Sequence, residues 1–516
     1  MSGQMIEGTE AHALIGDLTA TSGETVDVLA PFTGEVLHAL PLSTAQDVAD
    51  VAVAARVAQR SWWAAGFAHR RAVLLRAHDL LLERREFLLD AVQTETGKSR
   101  GQAFEEVFNS AGATRYNAVI AHQTLRATRR RGGIPVVVQA RVSYSPKGIV
   151  GVITPWNYPL SLAIMDIAPA LAAGNGIVQK ADNQGALTIL AARRAFIDAG
   201  VPGELWGVVA GDGTLIGNAV VDAGDYVAFT GSTATGRTVA ARAAARLINS
   251  SMELGGKNPL IVLDDVDPEK AAADAAYACF SAAGQLCVSM ERIYVQKGIA
   301  DRFLPAFAER VTSLTVGSAF DYSTDVGSLA TATQFERVMA HIADAESKGA
   351  TVLAGGKARP DLGPYFVEPT VFTNVTDTME CFAHETFGPV VAATVVDSEA
   401  DAIRLANDSD YGLNASVFSG SRARGRRVAE QLHFGSVNVN EGYRATFGSV
   451  DAPMGGVKAS GLGRRNGPEG LLRFVEARTI AEATGIIQLP RTGAEWRRLA
   501  PVMVTTLRAL KALRRR

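Results

Sequence analysis

From residue 148 onward, short apolar runs alternate with stretches of helical pattern, and this alternation constrains the fold more than any other feature. GIVGVIT, GIVQK, LWGVVAG and DYVAFT have the pattern of buried strands, and helical segments separate them. A second series begins at LIVLDD (260–265) and runs through helical segments at 267–283 and 299–311 to VVAATVV at 390–396. Strand–helix–strand alternation is typical of parallel sheets covered by helices on both faces. The sequence therefore predicts two α/β lobes.

The segments before residue 148 add helices and a small β extension. Residues 44–66 and 70–97 are rich in Ala, Leu, Arg and Glu, with apolar residues at helical spacing, which predicts two helices. Around 131–151, the β-branched run Val136–Val138 precedes an alternating segment at 141–144, which predicts paired antiparallel strands. With 516 residues, the chain is long enough for two or three domains.

Charge and cysteine content exclude several classes of protein. The formal net charge is −2, whereas a whole-chain nucleic-acid binder normally has a strongly basic face. Cys279, Cys287 and Cys381 form no CxxC pair, and no Cys/His cluster has the spacing of metal ligands, so we expect neither a disulfide scaffold nor a metal site. The sequence shows no signal-peptide pattern and no apolar window long enough for a membrane span. We therefore expect a cytoplasmic protein that binds no nucleic acid.

GSTATGRT, at 231–238, is a glycine-rich turn between an apparent strand and a helix. Such a turn presents backbone N–H groups and a helix N-terminus to a phosphate. Three interpretations remain open: a nucleotide-pyrophosphate loop, a P-loop, or a turn whose glycines serve packing alone. A P-loop requires lysine where this sequence has Arg237, which counts against an NTPase.

Three polar side chains stand in contexts suited to chemistry at a carbonyl group. Cys287 follows Gly-Gln at what we predict to be a helix start, where backbone amides favour the attacking thiolate. Glu253 precedes Gly-Gly among apolar residues, so burial would raise its pKa into the range of a general base. Asn157 lies between Trp156 and Tyr158, where its amide could donate to an oxyanion. The same patterns also fit an inert buried cysteine, a surface glutamate and aromatic packing.

Eight segments, in chain order, resemble the signature segments of the NAD(P)-dependent aldehyde dehydrogenase superfamily: TPWNYPL, AAGNGIVQK, FTGSTATG, MELGGKNP, GQLCVSMERIYV, ETFGPV, NDSDYGLNASVF and PMGGVKASGLGRRNGPEGL. The resemblance runs from about residue 25 to residue 485. Among the branches, the chain is most similar to bacterial NADP-dependent succinate-semialdehyde dehydrogenases. The resemblance implies an α/β fold with a Rossmann-type cofactor domain, an α/β catalytic domain and a small β oligomerisation arm.

The resemblance also implies a mechanism. Cys287 would attack the aldehyde, and the Asn157 amide and the Cys287 N–H would hold the oxyanion of the thiohemiacetal. Glu253 would activate the water that hydrolyses the thioester. A P-loop NTPase then becomes a remote alternative. The positions that the resemblance assigns to the cofactor are Trp156, Lys180, Ala181, Asp182, Asn183, Gly231, Ser232, Leu254, Glu385 and Phe387.

The family's usual KPSE segment reads Lys180-Ala181-Asp182-Asn183 here. An acid at the fourth position favours NAD, because a carboxylate at the ribose repels a 2′-phosphate. Asn183 removes that repulsion and leaves Lys180 for the phosphate. We therefore expect NADP to be used at least as well as NAD, unless the Asp182 side chain faces the ribose.

The family fold would place the cofactor-binding domain at 1–128 and 148–254 and the catalytic domain at 255–455. The hairpin at 129–147 and a strand at 479–489 would form the oligomerisation arm, giving a homodimer or homotetramer. An edge pair that reaches onto a neighbouring subunit explains why the chain keeps such an extension.

Two departures from the family pattern concern the substrate. Succinate-semialdehyde enzymes usually carry arginines for the substrate carboxylate, at positions that hold Met165 and Ser281 here. Met165 and Leu286 would make the tunnel apolar, and Asp166 would make it repulsive. Burying a carboxylate without a cation costs several kcal/mol. The resemblance implies succinate semialdehyde; the alternative is a hydrophobic aldehyde, aromatic or of medium chain length, unless Arg444 supplies the cation.

The C-terminal segment 491–516 carries a net charge of +7 and leaves −9 on the rest of the chain. Such a basic amphipathic segment can lie on an anionic membrane surface. It can also dock on the acidic remainder of the chain, and the sequence leaves both open. Its apolar positions Leu507, Leu510 and Leu513 lie near one helical face, beside the basic positions Arg508, Lys511 and Arg514.

Overall fold

Two mainly parallel sheets form the framework of the protein, and a computed structural model describes residues 3–132 and 137–513. The strands are, in chain order, β1 Thr25–Leu29, β2 Val36–Pro41, β3 Thr128–Arg131, β4 Val138–Pro146, β5 Ile149–Ile153, β6 Gly176–Lys180, β7 Trp206–Val209, β8 Tyr226–Thr230, β9 Asn249–Glu253, β10 Asn258–Val262, β11 Met290–Gln296, β12 Thr351–Ala354, β13 Thr370–Thr373, β14 Val390–Val396, β15 Asn414–Phe418, β16 Ser436–Val439, β17 Gly461–Leu462 and β18 Val475–Ala483.

Helices connect and cover the strands. They are α1 Gly8–Ile15, α2 Ala45–Ala64, α3 Gly66–Glu83, α4 Arg85–Thr96, α5 Arg100–Leu125, α6 Pro159–Ala173, α7 Ala186–Ala199, α8 Gly213–Ala223, α9 Thr233–Ala245, α10 Pro268–Phe280, α11 Lys297–Thr312, α12 Ala332–Ser347, α13 Glu380–Ala383, α14 Glu399–Asn407, α15 Arg422–Ala429, α16 Arg444–Phe447, α17 Gly467–Leu472 and α18 Gly493–Ala512. No described helix is both long and apolar enough to cross a membrane.

The first lobe is built on a sheet of strand order β17-β9-β8-β5-β6-β7. All pairings are parallel except β17 with β9. The central strand β5, IVGVI, is buried at every position, as expected for a parallel strand covered on both faces. Within it, a Cβ on Gly151 would lie 2.9 Å from the Val220 carbonyl oxygen, so glycine is what lets α8 approach the sheet.

The second lobe is built on a sheet of strand order β12-β13-β14-β11-β10-β15-β16, parallel except for β12 with β13. The two α/β lobes that the alternating pattern predicts are therefore confirmed. The two helices predicted at 267–283 and 299–311 correspond to α10 and α11.

The small β extension is a three-stranded antiparallel sheet of order β18-β4-β3. The paired strands predicted around 131–151 are thus present, although Val136 lies outside the described residues. The C-terminal strand differs from the prediction of 479–489, because β18 begins at Val475 and ends at Ala483. Its register with β4 explains the shift, since Val475 already pairs with Pro146 where β4 ends.

Candidate active site

A cavity of about 700 Å³ opens at the carboxyl ends of the first-lobe strands. The chain continues from β5 to β6 on one side and returns through β8 and β9 on the other, so the topological switch lies between β5 and β8. Ligands of open α/β sheets bind outside the carboxyl ends of strands at such a point. Trp156 and Asn157 follow β5, while Gly231 and Ser232 follow β8, and all four line the cavity.

Two helix N-termini face this cavity and could hold a phosphate. Ser232 caps α9, accepting a hydrogen bond from the Thr235 N–H at 3.2 Å. Asp212 caps α8 through the N–H groups of Thr214 and Leu215. The glycine-rich turn at 231–238 predicts the first terminus, whereas the second was not predicted as a phosphate site, although Asp-Gly before a helical segment is a recognisable start signal. The lining residues that α8 and its cap contribute are Asp212, Gly213, Thr214, Gly217 and Asn218.

The segment predicted to meet the adenosine ribose is only partly in the cavity. Lys180 and Asp182 line it, and Lys180 forms no ion pair with any described residue. Ala181 and Asn183 are not among the lining residues. The Asn183 side chain instead accepts the Gly211 N–H at 2.9 Å, because the short 3-10 turn after Asp182 directs it toward β7. Of the Asp182 and Asn183 side chains, that of Asp182 is therefore the one that borders the cavity, although its Oδ1 also accepts the Gln184 N–H at 3.1 Å.

Cys287 lies in a tight turn between a 3-10 helix, Ser281–Gly284, and β11, where it borders the cavity. The predicted helix start at Cys287 is wrong, because the chain forms a turn there and strand β11 follows. The turn is fixed by Asn258, whose side-chain amide donates to the carbonyl oxygens of Cys287 at 2.8 Å and Ser289 at 2.7 Å.

The Cys287 thiol is therefore not a ready thiolate. Burial raises its pKa to about 12, and the nearby carboxylates of Glu385 and Glu253 add to the increase. At neutral pH the thiol is protonated, so an attack by sulfur requires a base that removes this proton.

Glu253 ends β9 and is a candidate base that lines the cavity. Burial raises its pKa to about 7, and the Arg465 and Arg473 guanidinium groups partly offset that increase. Its Oε1 atom is buried with no hydrogen-bond partner among the described residues. A carboxyl group that is half ionised near neutral pH, with a free oxygen, can accept a proton from a thiol or from water.

A buried ion cluster lies near Glu253, and its charges shift the Glu253 pKa. Asp166, in α6, accepts hydrogen bonds at 2.5 Å from both Arg465 and Arg473. Burial would raise the pKa of Asp166, but the two guanidinium groups lower it below its ordinary value. The expectation that Asp166 repels an anionic substrate is therefore wrong, because its carboxylate is neutralised by two arginines.

Asn157 is held with its amide near the Cys287 turn. Its Nδ2 donates to the Gln285 carbonyl oxygen at 2.9 Å, which leaves its second N–H for a ligand. The backbone carbonyl oxygen of Asn157 accepts a hydrogen bond from Lys98 Nζ at 2.6 Å, and Lys98 forms an ion pair with Glu106. This fixed donor is the kind that stabilises a developing oxyanion.

Glu385 and Phe387 close the cavity opposite the first lobe. The Glu385 carboxylate accepts the Gly256 N–H at 2.8 Å, and burial raises its pKa to about 7. Phe387 packs edge-to-face on Trp156, with ring centroids 5.8 Å apart. Leu254, from the turn after β9, also lines this part of the cavity.

Glu291 positions that closing segment and was missed in the sequence. Its carboxylate accepts from Lys257 Nζ at 2.5 Å and from the backbone N–H groups of Thr386 at 2.9 Å and Phe387 at 3.0 Å. It thereby holds Phe387 at a φ of +55°. A charged Glu-Arg pair at the start of a strand with an apolar centre is the signal that could have revealed it.

An apolar cluster surrounds the remaining side of Cys287. Met165 and Leu286, singled out in the sequence, belong to it, and Ser281 is buried beside it with its hydroxyl donated to the Tyr277 carbonyl oxygen. Arg444 is stacked 4.0 Å from the Tyr277 ring centroid and paired with Glu441. The buried members of the cluster are Ala113, Tyr158, Leu162, Met165, Ala282, Leu286, Val288, Leu413, Tyr443, Phe447 and Met454.

An α/β sheet with a cavity at its switch point, bordered by a cysteine and several acids, is typical of a cofactor-dependent enzyme. The sequence pattern described as "Aldehyde dehydrogenase family" matches residues 18–480, and the chain belongs to this family. It is 47% identical over 499 residues to a Mycolicibacterium smegmatis protein provisionally named as a succinate-semialdehyde dehydrogenase (NADP+), with 97% of this chain and 96% of that protein covered.

Solved structures give the same result. An E. coli NADP-dependent enzyme superimposes with a TM-score of 0.86 at 33% identity, covering 93% of this chain and 98% of its own. Betaine aldehyde dehydrogenase from Staphylococcus aureus, in complex with NAD+, gives 0.87 at 32% identity, with 96% and 97% covered. The fold of this chain is accordingly the aldehyde dehydrogenase fold.

The pKa of Cys287 makes a direct prediction about its reactivity. The rate of Cys287 alkylation by iodoacetamide, followed by peptide mass, should increase with each pH unit from 7 to 10, because the thiolate fraction increases with pH below a pKa of about 12. Glu385→Gln should accelerate alkylation at pH 8 several-fold, since it removes a carboxylate that disfavours the thiolate. A rate that is already constant above pH 7 would contradict this assignment, and Cys279 serves as the buried internal control.

Proposed function

We propose that this protein oxidises an aldehyde to a carboxylate with NAD(P)+ and water, releasing NAD(P)H and protons. The observation that carries this proposal is that Cys287, Glu253 and Asn157 line one cavity at the switch point of the first-lobe sheet. Membership of the aldehyde dehydrogenase family supports the same reaction.

In the first step Glu253 takes the Cys287 proton, and sulfur forms a bond to the aldehyde carbon. The carbonyl π electrons move to oxygen, and the Asn157 amide and the Cys287 N–H stabilise the resulting oxyanion. When bound, the nicotinamide accepts the hydride that leaves this carbon, so that a thioester on Cys287 remains.

Glu253 then releases the thiol proton to solvent, and in the second step its ionised carboxylate removes a proton from water, which attacks the thioester and expels the Cys287 sulfur as a thiolate. The ionised form of Glu253 does this work, so its pKa of about 7 leaves roughly half of the enzyme competent at neutral pH. The Arg465 and Arg473 guanidinium charges oppose the effect of burial on the Glu253 pKa, whereas the Asp166 carboxylate adds to that effect.

The polar groups that line the cavity are suited to binding a dinucleotide. The N-termini of α8 and α9 face it, Lys180 contributes an unpaired ammonium group, and Glu385 contributes a carboxylate suited to ribose hydroxyls. Gly231 and Ser232 would contact the pyrophosphate, and Trp156 and Phe387 would contact the nicotinamide side. We propose that NADP binds here, with NAD as a second cofactor, as the relatives' names also support.

Asp182 sets the balance between the two cofactors. Asp182→Asn should raise kcat/KM for NADP by about tenfold or more with little change for NAD, because a like-charge contact near 4 Å costs several kcal/mol. Lys180→Met is the control of opposite sign and should weaken NADP selectively. Equal effects of either variant on both cofactors would show that neither side chain reaches the 2′-phosphate.

The names of the relatives and the lining of the cavity favour different aldehyde substrates. The mycobacterial relative's name includes succinate semialdehyde, whose distal carboxylate requires a cation. Around Cys287 the cluster is apolar and aromatic, and Arg444 is engaged by Glu441 and Tyr277. We propose that hydrophobic aldehydes are preferred and that succinate semialdehyde is a weaker substrate.

A substrate series tests this preference. From butanal to octanal, kcat/KM with NADP should increase about fourfold per methylene until the cavity is filled, since each buried methylene contributes about 0.8 kcal/mol. Succinate semialdehyde should fall below hexanal, and Arg444→Gln should affect neither. A tenfold preference for succinate semialdehyde, abolished by Arg444→Gln, would overturn the proposal without affecting the assignment of aldehyde oxidation.

The three-stranded sheet supports a proposal about assembly. Its strand β18 is exposed at eight of its nine positions, although it pairs along its length with β4. We propose that this arm packs on a second copy of the chain, giving a homodimer or homotetramer. We further propose cofactor binding for the first lobe, near 1–128 and 148–254, and catalysis for 255–455.

A further inference from the structure

The C-terminal helix α18, Gly493–Ala512, lies beyond the residues matched by the family pattern and is not used by the reaction. It begins with a capping box, in which Thr492 and Glu495 exchange side-chain and backbone hydrogen bonds. None of its residues is buried against the rest of the protein. A well-capped helix without a buried face needs another surface to cover its apolar side chains.

The helix has two chemically distinct faces. At about 100° per residue, all of its large apolar residues except Val504 occupy an arc of about 140°, and its basic residues occupy an opposite arc of similar width. Trp496, Leu507 and Leu513 are each at least half exposed. The apolar face comprises Trp496, Leu499, Val502, Met503, Leu507, Leu510 and Leu513, and the basic face comprises Arg497, Arg498, Arg508 and Lys511.

The basic side chains of α18 are not neutralised by acidic residues in the part of the chain that the structure describes. None of its basic side chains forms an ion pair with the residues that the structure describes, although the rest of the chain carries a net −9. Glu495, its one acidic residue, is occupied by the cap. The Arg514 of the sequence analysis lies outside the described residues. The structure therefore does not support docking of α18 on the acidic remainder of the chain.

We propose that α18 binds an anionic lipid surface. The apolar face would enter the boundary between headgroups and acyl chains, with Trp496 at the interface, and the basic face would meet the lipid phosphates. Lying flat, the helix needs no membrane-spanning length. The enzyme would then be a peripheral membrane protein, attached to the lipid surface through α18.

Co-sedimentation of the full chain with vesicles tests this proposal. Vesicles of phosphatidylcholine with one quarter phosphatidylglycerol should bind the protein, pure phosphatidylcholine should bind much less, and high salt should release it. Deleting 491–516 should abolish binding. Replacing Arg508 and Lys511 by Gln should lower the partition about 30-fold, because each charge near the surface contributes about 1 kcal/mol.

Matched variants separate the faces of the helix. Leu507→Gln with Leu513→Gln should lose vesicle binding, whereas Val504→Gln with Ala512→Gln, on the basic side, should retain it. Activity on a water-soluble aldehyde should be unchanged in every variant. Equal binding of the full and truncated chains would overturn the proposal. So would a change in solution mass on truncation without lipid, which would assign α18 to an interface between copies of the chain.

Discussion

The buried ion pair between Arg465 and Asp166 is the interaction on which the site most depends. It joins the segment returning from the second lobe to helix α6, and the same return segment adds β17 to β9, where Gly461 lies opposite Glu253. Removing one member of a fully buried pair typically costs about 3–5 kcal/mol, because the other charge is left uncompensated. The pair thus ties to α6 the segment that carries β17, which pairs with the strand ending in Glu253, and the Arg465 charge lowers the Glu253 pKa from the value that burial alone would give.

Two acidic residues of the cavity favour the protonated form of the Cys287 thiol. Glu253 and Glu385 both have pKa values near 7, and both disfavour the Cys287 thiolate. A protonated thiol is a poor target for adventitious oxidation, which follows thiolate character. Reactivity would then be confined to complexes in which Glu253 can take the thiol proton and Asn157 can hold the oxyanion.

Much of this architecture follows from local patterns in the sequence. Apolar runs predict β5, β6, β8 and β10, and the glycine-rich turn at Gly231 correctly indicates a helix N-terminus at a cavity. What the sequence does not contain is long-range pairing. Asp166 and Arg465 are 299 positions apart, and nothing near either residue identifies its partner. For the same reason, Asp166 was expected to repel substrate.

The direction of individual side chains also could not be predicted from the sequence. Asp182 and Asn183 are neighbours, yet one lines the cavity and the other caps the Gly211 N–H, a difference set by a single 3-10 turn. Likewise, Gly-Gln before Cys287 resembles a helix start, whereas the chain turns into β11. Residue type indicated candidate chemistry for these segments, and the fold determines which of their atoms face the cavity.

The central claim, that Cys287 carries the acyl group and Glu253 directs water to it, is tested most directly by intact-mass measurement. The Glu253→Gln enzyme is mixed with NADP and the best aldehyde of the substrate series, then quenched in acid. The account predicts one equivalent of reduced cofactor and a mass increase of one acyl group located on Cys287, because the thioester forms slowly but is not hydrolysed. Steady turnover of this variant at the normal rate, with no acyl group on Cys287, would contradict it.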